Sequence, residues 1–194
     1  TLALLRDADL YAHVTVLANT ASIPGADYGA FVERAGRICA EAGNCALVEV
    51  ANEPYHGTQA ADVHSMTHLA SWAARVPRVV PTALGAPEDQ DGVQARGAPV
   101  IVVHLDRGGD RWNRVRRVRQ LEALSAETGR YVIDSEPIGA HEVEQSGRRD
   151  NAPDAFFAQG VLSRIFEVGS TFHSEDGLQA RVPRSVQQAC AKAF

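Results

Sequence analysis

Short, β-branched apolar runs alternate along this chain with stretches of helical periodicity, and no other feature constrains the fold as much. Six runs read as strands: His13 to Ala18, Ala46 to Ala51, Arg78 to Ala83, Pro99 to His104, Arg130 to Ser135 and Gly169 to His173. A strand, its covering helix and the return to the next strand take about 30 residues. The strand starts keep close to that interval except across one short gap after the third. The pattern predicts parallel α/β construction and argues against a helical bundle or a β-sandwich.

The helices between the strands carry apolar stripes at steps of three and four. Phe31, Ala35, Ile38 and Ala42 form one from Asp27 to Ala42, with Gly43 placed to end the helix. Val63, Met66, Leu69 or Ala70, and Ala73 form a second from Ala60 to Ala74. Trp112, Val115, Val118, Leu121 and Leu124 form a third from Arg111 to Thr128, and Phe157, Val161 and Ile165 a fourth from Asp154 to Glu167. The short gap leaves room for only a loop or small helix around Glu88 to Arg96.

Thr15, Glu49, Thr82 and Asp134 interrupt otherwise apolar strands, which suits a closed barrel with layered side chains inside. The expected fold is therefore a (β/α)8 TIM barrel, incomplete at its N-terminus, forming one domain over residues 1–194. Eight units take about 250 residues, so the six present leave the barrel about two short. Met66 is the single methionine, so the chain is expected to be processed or a fragment, with missing N-terminal barrel strands or a larger parent chain.

With 24 acidic and 19 basic residues the net charge is −5, which argues against a nucleic-acid partner. No apolar run is long enough to cross a membrane, and the charged N-terminal stretch reads as neither anchor nor signal peptide. Cys39, Cys45 and Cys190 are odd in number and lack a CxxC spacing, so neither a disulfide framework nor a cysteine zinc site is expected. Cys39 and Cys45 flank a helix end and pair only if the local geometry allows it. GxxxxGK[ST], GxGxxG and GxSxG are all missing, which removes the simplest arguments for nucleotide binding or serine hydrolysis.

A parallel barrel delivers its strand ends to one rim, where reactive groups collect. Two of these ends share a form: Asn52-Glu53-Pro54 and Ser135-Glu136-Pro137. Two carboxyls across a pocket can divide the roles of acid and nucleophile, because burial and mutual repulsion keep one protonated while the other is ionised. That division is the chemistry of glycoside hydrolysis. Taken singly, each Glu-Pro also reads as a simple rim turn.

These residues resemble the clan A glycoside hydrolases, the cellulase-like barrels whose acid/base glutamate follows Asn at the fourth strand end and whose nucleophile ends the seventh. Placing Asn52-Glu53-Pro54 on strand four puts Glu136 on strand seven. The resemblance implies retaining O-glycoside hydrolysis of a carbohydrate substrate, with Glu53 as acid/base, Glu136 as nucleophile and Asn52 as a donor to the sugar 2-hydroxyl. His104 is then placed to hydrogen-bond the nucleophile, while Tyr55, His56 and His173 offer substrate contacts. His173 stands where the family often carries Trp, and the strand that commonly supplies an Arg beside the nucleophile is lacking. Neither a metal nor an organic cofactor is required.

Two other readings stay open. One is a barrel that binds carbohydrate without turning it over. The other is a metal-dependent barrel hydrolase using His104 and Asp106 with His141, His173 and Glu136. His64 and His68 stand one helical turn apart without the Glu of a HExxH site and read as a solvent-facing pair.

Overall fold

The computed structural model describes residues 1–86, 97–104, 111–135 and 169–170. In chain order these form α1 (Leu2–Asp7), β1 (Ala12–Leu17), α2 (Tyr28–Ala42), β2 (Cys45–Ala51), α3 (Met66–Ala73), β3 (Thr82–Ala83), β4 (Val100–Val103), α4 (Arg111–Thr128), β5 (Tyr131–Asp134) and β6 (Gly169–Ser170), with 3-10 turns at Thr20–Ser22 and Ala61–His64. The chain divides into two compact units, Thr1–Val102 and Val103–Phe194.

The strands fall into two small sheets, ordered β1-β2-β3 and β4-β5-β6. The pairs β1/β2, β2/β3 and β5/β6 are parallel, as the alternating pattern predicts. The barrel expectation is not met: among the described residues β3 and β4 belong to different sheets, and no eight-fold barrel forms. The reason lies partly in β3, where the pattern predicts a six-residue strand and only Thr82 and Ala83 pair. Pro77 and Pro81 bracket the segment; Val80 N closes a turn onto Pro77 O at 2.9 Å, and Val79 points to solvent. A proline has no N–H to give a ladder, so a Val-Val pair held between two prolines bends instead of extending. The predicted loop around Glu88 to Arg96 and helix from Asp154 to Glu167 lie outside the described residues.

Helices α2 and α3 cover one face of the first sheet. Val32, Cys39, Leu69, Ala73 and Val76 meet Val14, Val16, Val48, Val50 and Leu84 in a single core. The Asp27 side chain accepts from Ala30 N at 3.0 Å and starts α2; Gly43, at φ 74°, ends it in the left-handed conformation. The face α2 buries is not the expected one. Tyr28, Gly29, Val32, Gly36 and Cys39 turn inward, while Phe31 and Ile38 remain 47% and 49% exposed. This is a rotation of one residue, about 100°.

The glycines explain the rotation. A Cβ at Gly29 would stand 2.8 Å from Trp72 Cδ1, and one at Gly36 would stand 2.9 Å from Val76 Cγ1. Two side-chain-free positions thus let α2 approach α3 and the turn after it, and the packing gained outweighs exposure of Phe31 and Ile38. The other stripes fare better. Val63, Leu69 and Ala73 are buried, Met66 partly so, and Trp72 packs edge-on against Tyr28 with ring centroids 5.9 Å apart. On α4, Leu121 and Leu124 are buried, and Gly129 follows at φ 61°; the side chains of Trp112, Val115 and Val118 lie outside the described part.

The polar strand residues also have a local account. Glu49 is 1% exposed, and its Oε2 meets His13 Nε2 at 2.8 Å and the Thr15 hydroxyl at 3.0 Å. Thr15 pairs directly with Glu49 across β1 and β2. Neighbouring strands of one sheet supply those partners without a closed barrel around them.

Candidate functional site

Because β1, β2 and β3 run parallel, their C-terminal ends reach one edge of the first sheet. There Asn52 N donates to Leu17 O at 2.8 Å, and Ala51 N to Leu84 O at 3.2 Å, so the ladder holds up to the residue before Glu53. Glu53 itself turns sharply, with φ at +40°. A left-handed conformation costs a residue bearing a Cβ about 1–2 kcal/mol, and a residue before proline ordinarily keeps to the extended region.

Three features hold this turn. His56 N donates to Glu53 O at 2.8 Å, closing a tight turn through Pro54 and Tyr55. The Tyr55 hydroxyl donates to Glu53 Oε1 at 3.2 Å on the exposed side of the turn, and Glu53 as a residue is half-buried. Below it the chain after β3 passes so closely that a Cβ on Gly85 would stand 2.2 Å from Ala51 O and 3.0 Å from Pro54 Cδ. Gly85 adopts φ +137°, a conformation open to glycine.

A second layer ties this turn to the end of β1. The buried Gln59 amide donates to Leu17 O at 3.1 Å, Ala18 O at 3.4 Å and Asn52 O, while its oxygen accepts from the Thr20 hydroxyl at 2.8 Å. Thr20 Oγ1 in turn accepts from Ala60 N at 2.7 Å, and the Tyr28 hydroxyl donates to Thr20 O at 3.2 Å. Gln59 escapes sequence reasoning because it lies in a loop without periodicity or motif. The nearest signal is the polar end of the first strand, Ala18-Asn19-Thr20, which carries its partner Thr20.

Among the expected substrate contacts, Asn52, Tyr55 and His56 gather around Glu53. The Asn52 carboxamide makes no hydrogen bond among the described residues. Tyr55 is exposed at its ring, and His56 is exposed with Nδ1 2.9 Å from Thr58 Oγ1 and 3.3 Å from Thr58 N. A backbone N–H can only donate, so Nδ1 accepts and, in the neutral ring, the proton sits on Nε2. Together Asn52, Glu53, Tyr55 and His56 present amide, carboxyl, aromatic and N–H groups within one turn, the mixture that a polyhydroxylated ligand needs.

In the second unit, His104 follows β4, and its Nε2 lies 3.1 Å from Ser135 Oγ. Ser135 N donates to Val103 O at 3.1 Å, extending the ladder one residue beyond β5. Ser135 immediately precedes Glu136 in the chain. Glu136 and His173 lie outside the described residues, as do Asp106 and His141. No group of three or more metal-ligating side chains occurs among the described residues, and no described helix is long and apolar enough to cross a membrane. His64 and His68 are exposed; His68 Nδ1 lies 3.1 Å from Asp62 O and its ring rests near Trp72. Comparison with known proteins matches the chain to no family model, no curated protein and no solved structure.

Proposed function

We propose that this chain is a retaining glycoside hydrolase in which Glu53 is the acid/base and Glu136 the nucleophile. The observation that carries the reading is the turn at Glu53: a half-buried residue placed just past a parallel strand, in a left-handed conformation, with its carboxyl touched by a tyrosine hydroxyl. Backbone strain of this kind, held by Gly85 packing and the His56 hydrogen bond, is characteristic of residues whose position matters to chemistry. The sequence resemblance to clan A enzymes supplies the roles; the local geometry around Asn52 and Glu53 suits them, without reliance on a barrel.

In the mechanism, ionised Glu136 attacks the anomeric carbon while protonated Glu53 gives its proton to the departing oxygen. Glu53 then removes a proton from water, which releases the sugar from Glu136. Asn52 hydrogen-bonds the 2-hydroxyl, and His56 Nε2–H and the Tyr55 ring hold the sugar. His104, already hydrogen-bonded to Ser135, orients the segment that leads into Glu136.

Hydrolysis of aryl glycosides with poor and good leaving groups tests these roles. Glu53→Gln is expected to lower turnover about 10²–10⁴-fold on the poor leaving group and far less on the good one, because only the former needs a proton. Glu136→Gln is expected to abolish turnover of both. Binding of sugar with no turnover by the parent chain would leave a carbohydrate-binding module and remove the hydrolytic assignment.

A further inference from the structure

We propose that the Tyr55 hydroxyl positions the Glu53 carboxyl and steadies its ionised form, the form that must draw a proton from water in the second half of the reaction. The proposal rests on the reading of Glu53 as acid/base. The hydroxyl donates to Glu53 Oε1 at 3.2 Å. A carboxylate is a stronger acceptor than the neutral carboxyl, so the bond favours the charged form over the protonated one.

The backbone holds the two side chains together. Pro54, between them, has a restricted φ and is buried, and it lies so close to the chain after β3 that a Cβ on Gly85 would stand 3.0 Å from Pro54 Cδ. On the other side of Tyr55, His56 N donates to Glu53 O at 2.8 Å and closes the turn. Tyr55 thus reaches Oε1 from a fixed support. Residues 18–20 after β1, 57–60 after the turn and 84–86 after β3 carry no ionisable side chain. Among the described residues of the turn itself, His56 is the further titratable neighbour, and its Nδ1 is engaged by Thr58, 2.9 Å from Oγ1 and 3.3 Å from N.

The bond matters at one stage of the cycle. In the first step Glu53 is protonated beside ionised Glu136; in the second, Glu136 carries the sugar as a neutral ester and Glu53 is ionised. The water proton then passes to Glu53, the water oxygen bonds to the anomeric carbon, and the ester bond to Glu136 breaks. A donor on Oε1 favours the ionised start of that step and keeps the carboxyl oriented while it accepts the proton.

The test compares the full chain with its Tyr55→Phe variant, which loses the hydroxyl and keeps the ring. The alkaline limb of kcat/KM for an aryl glycoside should move up by about 0.5–1 pH unit, because a carboxyl without its donor holds its proton longer. kcat should fall about tenfold with KM within about twofold. A merely structural role would lower activity without moving the limb. A carbon-13 NMR titration of the Glu53 carboxyl in the free chain, identified by its loss in Glu53→Gln, should rise by the same amount and needs no turnover. An unmoved titration in Tyr55→Phe would overturn the proposal; so would an unmoved limb or an unchanged kcat. A parent chain that turns over no aryl glycoside would overturn the acid/base reading instead, and the titration would still decide whether the hydroxyl holds the carboxyl.

Discussion

Replacing Gly85 with Ala puts the packing beneath Glu53 to a direct test. Two costs add. At φ +137° an L-residue occupies a sparsely populated region, worth about 1–3 kcal/mol. The added Cβ would also lie 2.2 Å from Ala51 O, about 1 Å inside normal contact. Ala51 cannot yield cheaply, because its N–H is bonded to Leu84 O and the next N–H to Leu17 O; breaking one such buried backbone bond costs about 1–3 kcal/mol. Gly85→Ala is therefore expected to destabilise the first unit by about 3 kcal/mol or more. Gly25→Ala is the control: at φ +77° an added Cβ would meet nothing within 4 Å, so the change carries backbone strain alone, about 1 kcal/mol.

Urea unfolding in a Trp112→Phe background leaves Trp72, in the first unit, as the sole tryptophan reporter. With m near 1–3 kcal/mol/M, Gly85→Ala should lower the midpoint by about 1–3 M at unchanged m. Equal midpoints for the two variants would refute the close-approach argument, since the steric term would then be missing.

Two further outcomes follow from the polar interior of the same unit. His13→Ala leaves the buried Glu49 carboxyl with the Thr15 hydroxyl alone, its other oxygen, Oε1, having no partner among the described residues, and should cost about 3 kcal/mol; the double variant His13→Leu, Glu49→Leu should cost clearly less than that single change. Additive effects in the same Trp72 melt would contradict the pairing. Gln59→Glu should destabilise as severely as Gln59→Ala, about 2–3 kcal/mol, because a carboxylate cannot donate to Leu17 O, Ala18 O and Asn52 O; a near-neutral Gln59→Glu would show that those carbonyls are satisfied otherwise.

The parts of the fold written in local pattern were legible. The β1 and β2 segments, rich in Val and bounded by Asn and Gly, were placed within a residue of their ends, and the caps at Asp27 and Gly43 follow from residue type. Most of what failed depends on partners distant in sequence. Gly29 and Gly36 add nothing to an apolar stripe, yet they set which face of α2 turns inward. Prolines 77 and 81 should have demoted the third strand, which the Val-Val pair between them made attractive. Regular strand spacing says that βα units recur; it does not say which strands share a sheet, and the barrel inference failed there. At the site, Asn52, Glu53, Tyr55 and His56 were visible as a strand-end cluster. The left-handed turn of Glu53 and its support by Gln59 and Thr20 arise from contacts across β1 and β2 that no local motif encodes.

Trapping of the glycosyl-enzyme tests the central claim most directly. Incubation of the full chain with a panel of activated 2-deoxy-2-fluoro aryl glycosides, followed by intact mass and peptide mapping, should show one sugar attached through Glu136, with Glu53→Gln slowing capture least for the best leaving group. A label on Glu53, or aryl glycoside turnover unaffected by Glu53→Gln and Glu136→Gln alike, would contradict the account.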